Sequence, residues 1–297
     1  KIFYFWTVVF FLVTLDLLFE FYFGFNTLGY SNDIPGRLSG YLNQELKIGG
    51  FYYGFILISL IFIYNKYKNL SLLYFLITIF LITSFLIGER SNFIKICFIL
   101  ILFLYFVDKK FIFKNLFFIT LIFSLIFTLI YFNKDSKERF YDSLIKPIIV
   151  NLKFSKTLKY SQYGAHYDAA IGIFKNYPVF GVGLKNFRHE SGKSEYINKE
   201  FIFYQTRQTT HPHQIHFELL SETGLFGYLS FIIFFGYYLR KNIKIQIKNG
   251  NLYHLSGILF VFTSFLPLLP SGSFFTTFGA TIFWINFSVI ELFKDDH

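Results

Sequence analysis

Apolar residues occupy this chain in long blocks rather than in alternation. Eight blocks stand out, at about 3–25, 48–64, 70–87, 92–107, 115–132, 215–239, 253–269 and 274–293. A hydrocarbon core about 30 Å thick takes roughly 20 helical residues to cross. The second to fourth blocks are shorter, which predicts helices partly shielded by their neighbours. The pattern predicts an all-α polytopic membrane protein: five spans in 1–132, a large polar segment over 133–212, and three spans in 213–297. Within the polar segment, residues 164–176 read as an amphipathic helix stopped before Pro178. Pro178 to Arg188 then reads as a turn into a short packed element.

The connections fix an orientation. Lys66/Lys68, Lys109/Lys110/Lys114 and Arg240/Lys241/Lys244/Lys248 are basic, and Lys1 and Lys294 mark the ends. Positively charged loops stay in the cytoplasm, and eight alternating spans satisfy every one of these placements. The opposite, outer face then collects residues 26–47 with Arg37, the corner Gly88-Glu89-Arg90-Ser91, the segment 133–212, and Pro270 to Ser273. Asp16 and Glu20, one turn apart within the first span, are expected to face the bundle interior or a wet cavity.

Composition agrees with this picture. Charged residues are only 15% and aromatic residues 24%, where a soluble chain carries about a quarter charged residues. The net charge of +10 fits lysine-rich cytoplasmic loops and an anionic lipid partner better than nucleic acid. Cys97 is the single cysteine and lies in an apolar run, so there is no disulfide framework. The chain begins at Lys1 and contains no methionine, which reads as a fragment or processed chain. Its first apolar run is too long for a signal peptide and lacks a small-residue cleavage site.

The candidate chemistry gathers at His211-Pro212-His213-Gln214-Ile215-His216-Phe217-Glu218, where a polar segment turns apolar. Ionisable residues at such a boundary are costly and point to function. The spacing predicts a helix capped by Thr210, with Pro212 in its first turn and His213, Phe217 and Leu220 on one face away from Glu218. His213 then sits beside unpaired backbone N–H groups that depress its pKa and favour anions, a setting for a neutral general base. On such a helix start His211 and His213 point in different directions. His166 and His189 read as surface or packing residues. No metal site and no cofactor site is evident: Asp295-Asp296 lies at the tail and the outer carboxylates are dispersed.

Four blocks resemble the O-antigen ligase/polymerase superfamily of bacterial envelope glycosyltransferases, in that family's order. Arg37-Leu-Ser-Gly40 resembles its outer-loop Arg-x-x-Gly. Thr83 to Ser91, with Gly88-Glu89-Arg90-Ser91, resembles its Thr-x-Ser-Arg-Gly corner. Phe174 to Arg188, with Pro178, Gly181, Gly183 and Phe187, resembles its Pro-x-x-Gly-x-Gly-x-x-x-Phe block. His211-Pro-His213-Gln214, followed by Glu222-Thr-Gly224-Leu-Phe-Gly227, resembles its His-x-His-Asn…Glu-Thr-Gly-x-x-Gly signature. Gln214 stands where Asn is usual, and Glu89-Arg90-Ser91 where Ser-Arg-Gly is commoner. The family usually has more spans than eight, which implies further N-terminal helices, and its architecture is that of a C-type membrane glycosyltransferase.

The resemblance implies a glycan donor on undecaprenyl diphosphate at the outer face of the bacterial inner membrane. It implies transfer with inversion to an acceptor hydroxyl, on a lipid A core, and the dispersed outer carboxylates favour a metal-independent transfer. Arg37 and Arg90 would take the diphosphate, because guanidinium forks match its oxygens. His213 would act on the attacking hydroxyl, with Arg188, His211, Gln214 and Glu222 as substrate-binding residues. Competing readings keep Arg37 as an interfacial arginine and Arg90 as a partner of Glu89. Within the family, polymerisation and protein O-glycosylation remain open. Outside it, a transporter or flippase for a lipid-linked sugar would place its polar residues near the midplane; here they gather on one face.

Overall fold

The computed structural model describes residues 1–297 except 32, 44, 108–115, 152–153, 268 and 295–297. The basic loop with Lys109, Lys110 and Lys114, and the Asp295-Asp296 pair, lie outside the described residues. Among the described residues there are helices and no strands, and each of the eight apolar blocks is a helix. They are α1 (Ile2–Phe23), α2 (Ile48–Tyr67), α3 (Leu70–Leu86), α4 (Arg90–Val107) and α5 (Leu116–Phe132). After α6 (Gln162–Asn176), in the polar segment, come α7 (Ile215–Asn249), α8 (Leu252–Ser264) and α9 (Thr277–Leu292). α1, α2, α4 and α7 are long and apolar enough to cross a membrane; α3, α5, α8 and α9 are shorter apolar helices. The protein is an all-α polytopic membrane protein.

Helix ends follow local chemistry. α1 stops at Gly24, which takes the left-handed conformation and donates to the Glu20 carbonyl, the usual way of closing a helix at glycine. Asn69 caps α3 by accepting from Leu72 N–H at 3.0 Å, and Ser161 caps α6 through Gly164 N–H at 3.1 Å.

The chain divides into two compact units. One comprises Lys1–Ile145, Asn249–Thr263 and Ile285–His297; the other comprises Lys146–Lys248 and Ser264–Trp284. In lipid the hydrophobic effect does not drive helices together, so close packing and internal hydrogen bonds must. The first unit shows both. Phe10 of α1 packs on Tyr52 of α2 and Phe80 of α3, with ring centroids 4.5 and 4.9 Å away. The Tyr53 hydroxyl meets Thr263 Oγ1 at 2.5 Å and the Phe260 carbonyl at 2.9 Å.

Asp16 and Glu20 face the interior and are buried. They accept backbone and hydroxyl donors from the following loop: Thr27 N–H and Oγ1 reach Asp16 at 2.8 and 2.6 Å. Ser39 and Gly40 N–H reach Glu20 at 3.0 and 2.7 Å. Two carboxylates that hydropathy would penalise thus fold residues 26–40 onto the end of α1.

The second unit is organised by α6. Its face Ala169, Ala170 and Ile173 buries against Phe187 and Tyr196, with Val182 and Phe217 packed on the cluster. α7 is broken at Gly224, whose φ of 64° and ψ of −169° are not helical. The freed N–H groups of Leu225 and Phe226 donate to Pro178 and Val179 carbonyls at 2.8 and 3.1 Å. Val182 and Gly183 N–H in turn donate to Ser221 and Glu222 carbonyls at 3.0 and 2.9 Å. The glycine turn and the Glu-Thr-Gly stretch, 40 residues apart in sequence, therefore form one hydrogen-bonded object.

Candidate functional site

The first unit gathers the predicted arginines at one corner. Arg37 donates to the Leu46 carbonyl at 2.8 Å and pairs with Glu89 at 3.3 Å. Glu89 also accepts from Gly49 N–H at 3.1 Å and Asn92 Nδ2 at 2.5 Å. Burial pushes its carboxyl above the usual range, while Arg37 pulls it back. Arg90 donates to the carbonyls of Arg139 and Ser143 at 3.3 and 3.2 Å, so the partner of Glu89 is Arg37 rather than Arg90. Arg139 Nε bonds the Gly88 carbonyl at 2.5 Å. Gly88 packs against the Gly36 carbonyl with no room for a side chain. Sequence reading missed Arg139, because the segment around it carries no motif.

In the second unit the histidines come together. The helix predicted to begin at Thr210 begins at Ile215 instead. Gln214 is its cap, with Oε1 accepting from His216 and Phe217 N–H at 2.7 and 3.1 Å. His213 stands outside the helix in the left-handed region, with φ 56°, and its carbonyl accepts from Ser271 N–H at 2.8 Å. A non-glycine residue held there costs about 1–3 kcal/mol and such outliers cluster at functional positions. The consequence corrects the sequence reading. Freed from helical geometry, the rings of His211 and His213 do not diverge; their centroids are 4.1 Å apart.

His166 joins them. Its ring lies 5.2 Å from that of His213, and it is only 5% exposed, so of the surface and packing readings the packing one holds, against the other histidines. Its Nε2 meets the Thr206 carbonyl at 3.0 Å, which makes Nε2 the protonated nitrogen. The signal was present: residues 166, 169, 170 and 173 share a helical face, and the last three are small or apolar. Tyr163 completes the surround, 5.8 Å from His213.

Burial holds the His213 imidazole down to about 3, reinforced by His211 and His166. Burial likewise holds His211 down to about 4, opposed by the Ser271 backbone. The cluster is therefore neutral at physiological pH. His211 Nδ1 engages Thr210 Oγ1 at 2.9 Å. The His213 ring makes no hydrogen bond to any described residue and is half-buried.

Glu222 and Glu218 have structural partners. Glu222, 1% exposed, accepts from Lys185 N–H at 2.7 Å and Phe187 N–H at 3.3 Å. It holds the loop that presents Arg188, itself exposed. Glu218 is buried rather than turned away: it accepts from Ser273 Oγ and from Phe274 N–H at 2.9 Å. With His216 on the Phe265 carbonyl at 2.9 Å, it positions the 265–274 segment that carries Ser271.

Long apolar helices that carry buried carboxylates in the first unit, and a broken helix with a buried histidine cluster in the second, are the marks of a multi-pass membrane protein. A sequence model of the O-antigen ligase family matches residues 72–232, more than half of the chain, and the chain belongs to that family. Membership makes it a glycosyltransferase-like membrane protein whose partners are, in general, a lipid-linked glycan and an acceptor. No curated protein matches the chain.

Proposed function

We propose that this protein transfers a glycan from undecaprenyl diphosphate to an acceptor hydroxyl at the periplasmic face of the bacterial inner membrane, as an O-antigen ligase does. The acceptor in this reading is a lipid A core. The observation that carries the reading is His213: off the helix, neutral, and with no hydrogen bond to its ring nitrogens among the described residues.

The acceptor oxygen attacks the anomeric carbon of the first sugar, on the side opposite the diphosphate. The new C–O bond forms as the bond to the diphosphate oxygen breaks, so configuration inverts. His213 takes the acceptor's proton, and the lipid diphosphate leaves with the bonding electrons. Arg37 and Arg90, in the first unit, are assigned to the lipid diphosphate, whose negative charge grows as it leaves and which guanidinium forks suit in place of a metal ion. Arg188 is assigned to substrate, Gln214 acts through the helix start that it caps, and His211 keeps His213 neutral. Glu222 acts through the 178–188 loop that it holds.

Positive loops support the orientation, with residues 133–212 on the periplasmic side. The test is the lipid-linked product formed by membranes containing the full-length protein and a defined undecaprenyl-diphosphate glycan. Transfer to a lipid A core is the expected result. Movement of unaltered donor across the bilayer, with no new glycosidic bond, would establish a flippase instead.

A further inference from the structure

α4 carries a lysine inside an otherwise apolar run. Lys95 sits between Ile94 and Ile96, five residues past the helix start at Arg90, which is about 7.5 Å along the axis. It is 5% exposed. An ammonium group in a spanning helix is expensive and, as a rule, either paired or functional.

Its surroundings do not pair it. The ammonium nitrogen lies 5.6 Å from the centroid of the Tyr53 ring, and the field of Glu89 reaches it. Neither supplies a hydrogen bond. The Tyr53 hydroxyl is taken by Thr263 and the Phe260 carbonyl, and the Glu89 carboxylate by Arg37, Gly49 and Asn92. Lys95 makes no hydrogen bond or ion pair with any described residue, so its three N–H donors have no acceptor among them. Arg37 and Arg90 at the same corner already spend donors on backbone carbonyls and Glu89.

We propose that Lys95 is a phosphate-binding residue, its ammonium taking an oxygen of the polyprenyl diphosphate beneath the Arg37–Glu89 corner. This rests on the function proposed above and adds a ligand-binding residue to it. Depth within an apolar helix selects the ligand: a phosphate tethered to a lipid tail reaches there, whereas a hydrated glycan does not. A compact charge on a flexible stem suits a phosphate whose orientation is fixed by other groups.

The test uses the full chain in detergent micelles, comparing the parent with Lys95→Met. Thermal midpoints are recorded alone and with undecaprenyl diphosphate, phosphatidylglycerol or inorganic pyrophosphate. Without ligand, Lys95→Met should melt at or above the parent, because it removes an unpaired buried charge. With undecaprenyl diphosphate the parent should shift upward and the variant should not, with affinity lower by about 10–100-fold. A parent-like shift in the variant overturns the proposal. An equal shift of the parent by phosphatidylglycerol overturns the assignment to diphosphate, and an equal shift by pyrophosphate overturns the lipid-tethered ligand. If Lys95→Met does not fold, Lys95→Gln is read in the same way. Glycan transfer measured in parallel separates the two ideas. Transfer without Lys95-dependent binding sinks the lysine alone, and Lys95-dependent binding without transfer sinks the reaction alone.

Discussion

Gly181 and Gly224 lie backbone against backbone: a Cβ built on Gly224 would stand 2.6 Å from the Gly181 nitrogen. Both have positive φ, 65° and 64°. Alanine at either position meets main chain that cannot step aside, in a conformation that L residues disfavour. Gly181→Ala and Gly224→Ala should each destabilise the second unit by more than about 1 kcal/mol. Gly236→Ala, with nothing within 4 Å, should be tolerated. Thermal melting of purified protein compares the three, and parent-like melting of both loop variants would show the contact to be dispensable.

Arg37 bridges the Leu46 carbonyl and Glu89, and Arg90 bridges two carbonyls. A lysine keeps the charge but loses the planar fork. Arg37→Lys and Arg90→Lys should lower transfer by about tenfold or more. Full activity in both would leave them as structural anchors.

His213→Ala should slow transfer by about 10²–10⁴-fold, the range for a positioned acid–base residue, while donor binding survives. His211→Ala should have a smaller effect. Normal transfer by His213→Ala with a dead His211→Ala would exchange their roles, and normal transfer by both would end the histidine mechanism.

The depressed histidines also set a pH dependence. His211 and His213 bind protons at about 4 and 3 when folded and near 6.5 when unfolded. Between those values the unfolded chain holds more protons, so stability is full above about 6.5 and is lost as pH falls. The acid limb of kcat/KM should lie well below 6.5. A limb at 6.5 would mean a solvated catalytic histidine.

Orientation is checked with cysteine reporters in a Cys97→Ser background. Ser194 and Lys248 are both exposed. An impermeant reagent outside the cell should label Ser194→Cys and miss Lys248→Cys; the reverse pattern would invert the topology.

Hydropathy alone determined the eight helices, because spanning a bilayer demands long apolar runs whatever the neighbours are. It also marked Asp16, Glu20 and the His211–Glu222 stretch as unusual, because polar groups stand out against such a background. Partners were another matter. Whether Glu89 meets Arg37 or Arg90 depends on how residues 26–47 return to the corner, and no local pattern encodes that path. The helix start was misplaced at Thr210, because Thr and Pro are good local signals, whereas the cap came from Gln214 once Ser271 held the His213 carbonyl. That shift of a few residues turned two diverging histidines into a cluster and brought in His166 from another helix. The kink at Gly224 arises because the 178–183 loop supplies the hydrogen bonds that the helix gives up. Periodicity reports which face of an element is apolar; only tertiary contact decides which carbonyl, ring or carboxylate that face will meet.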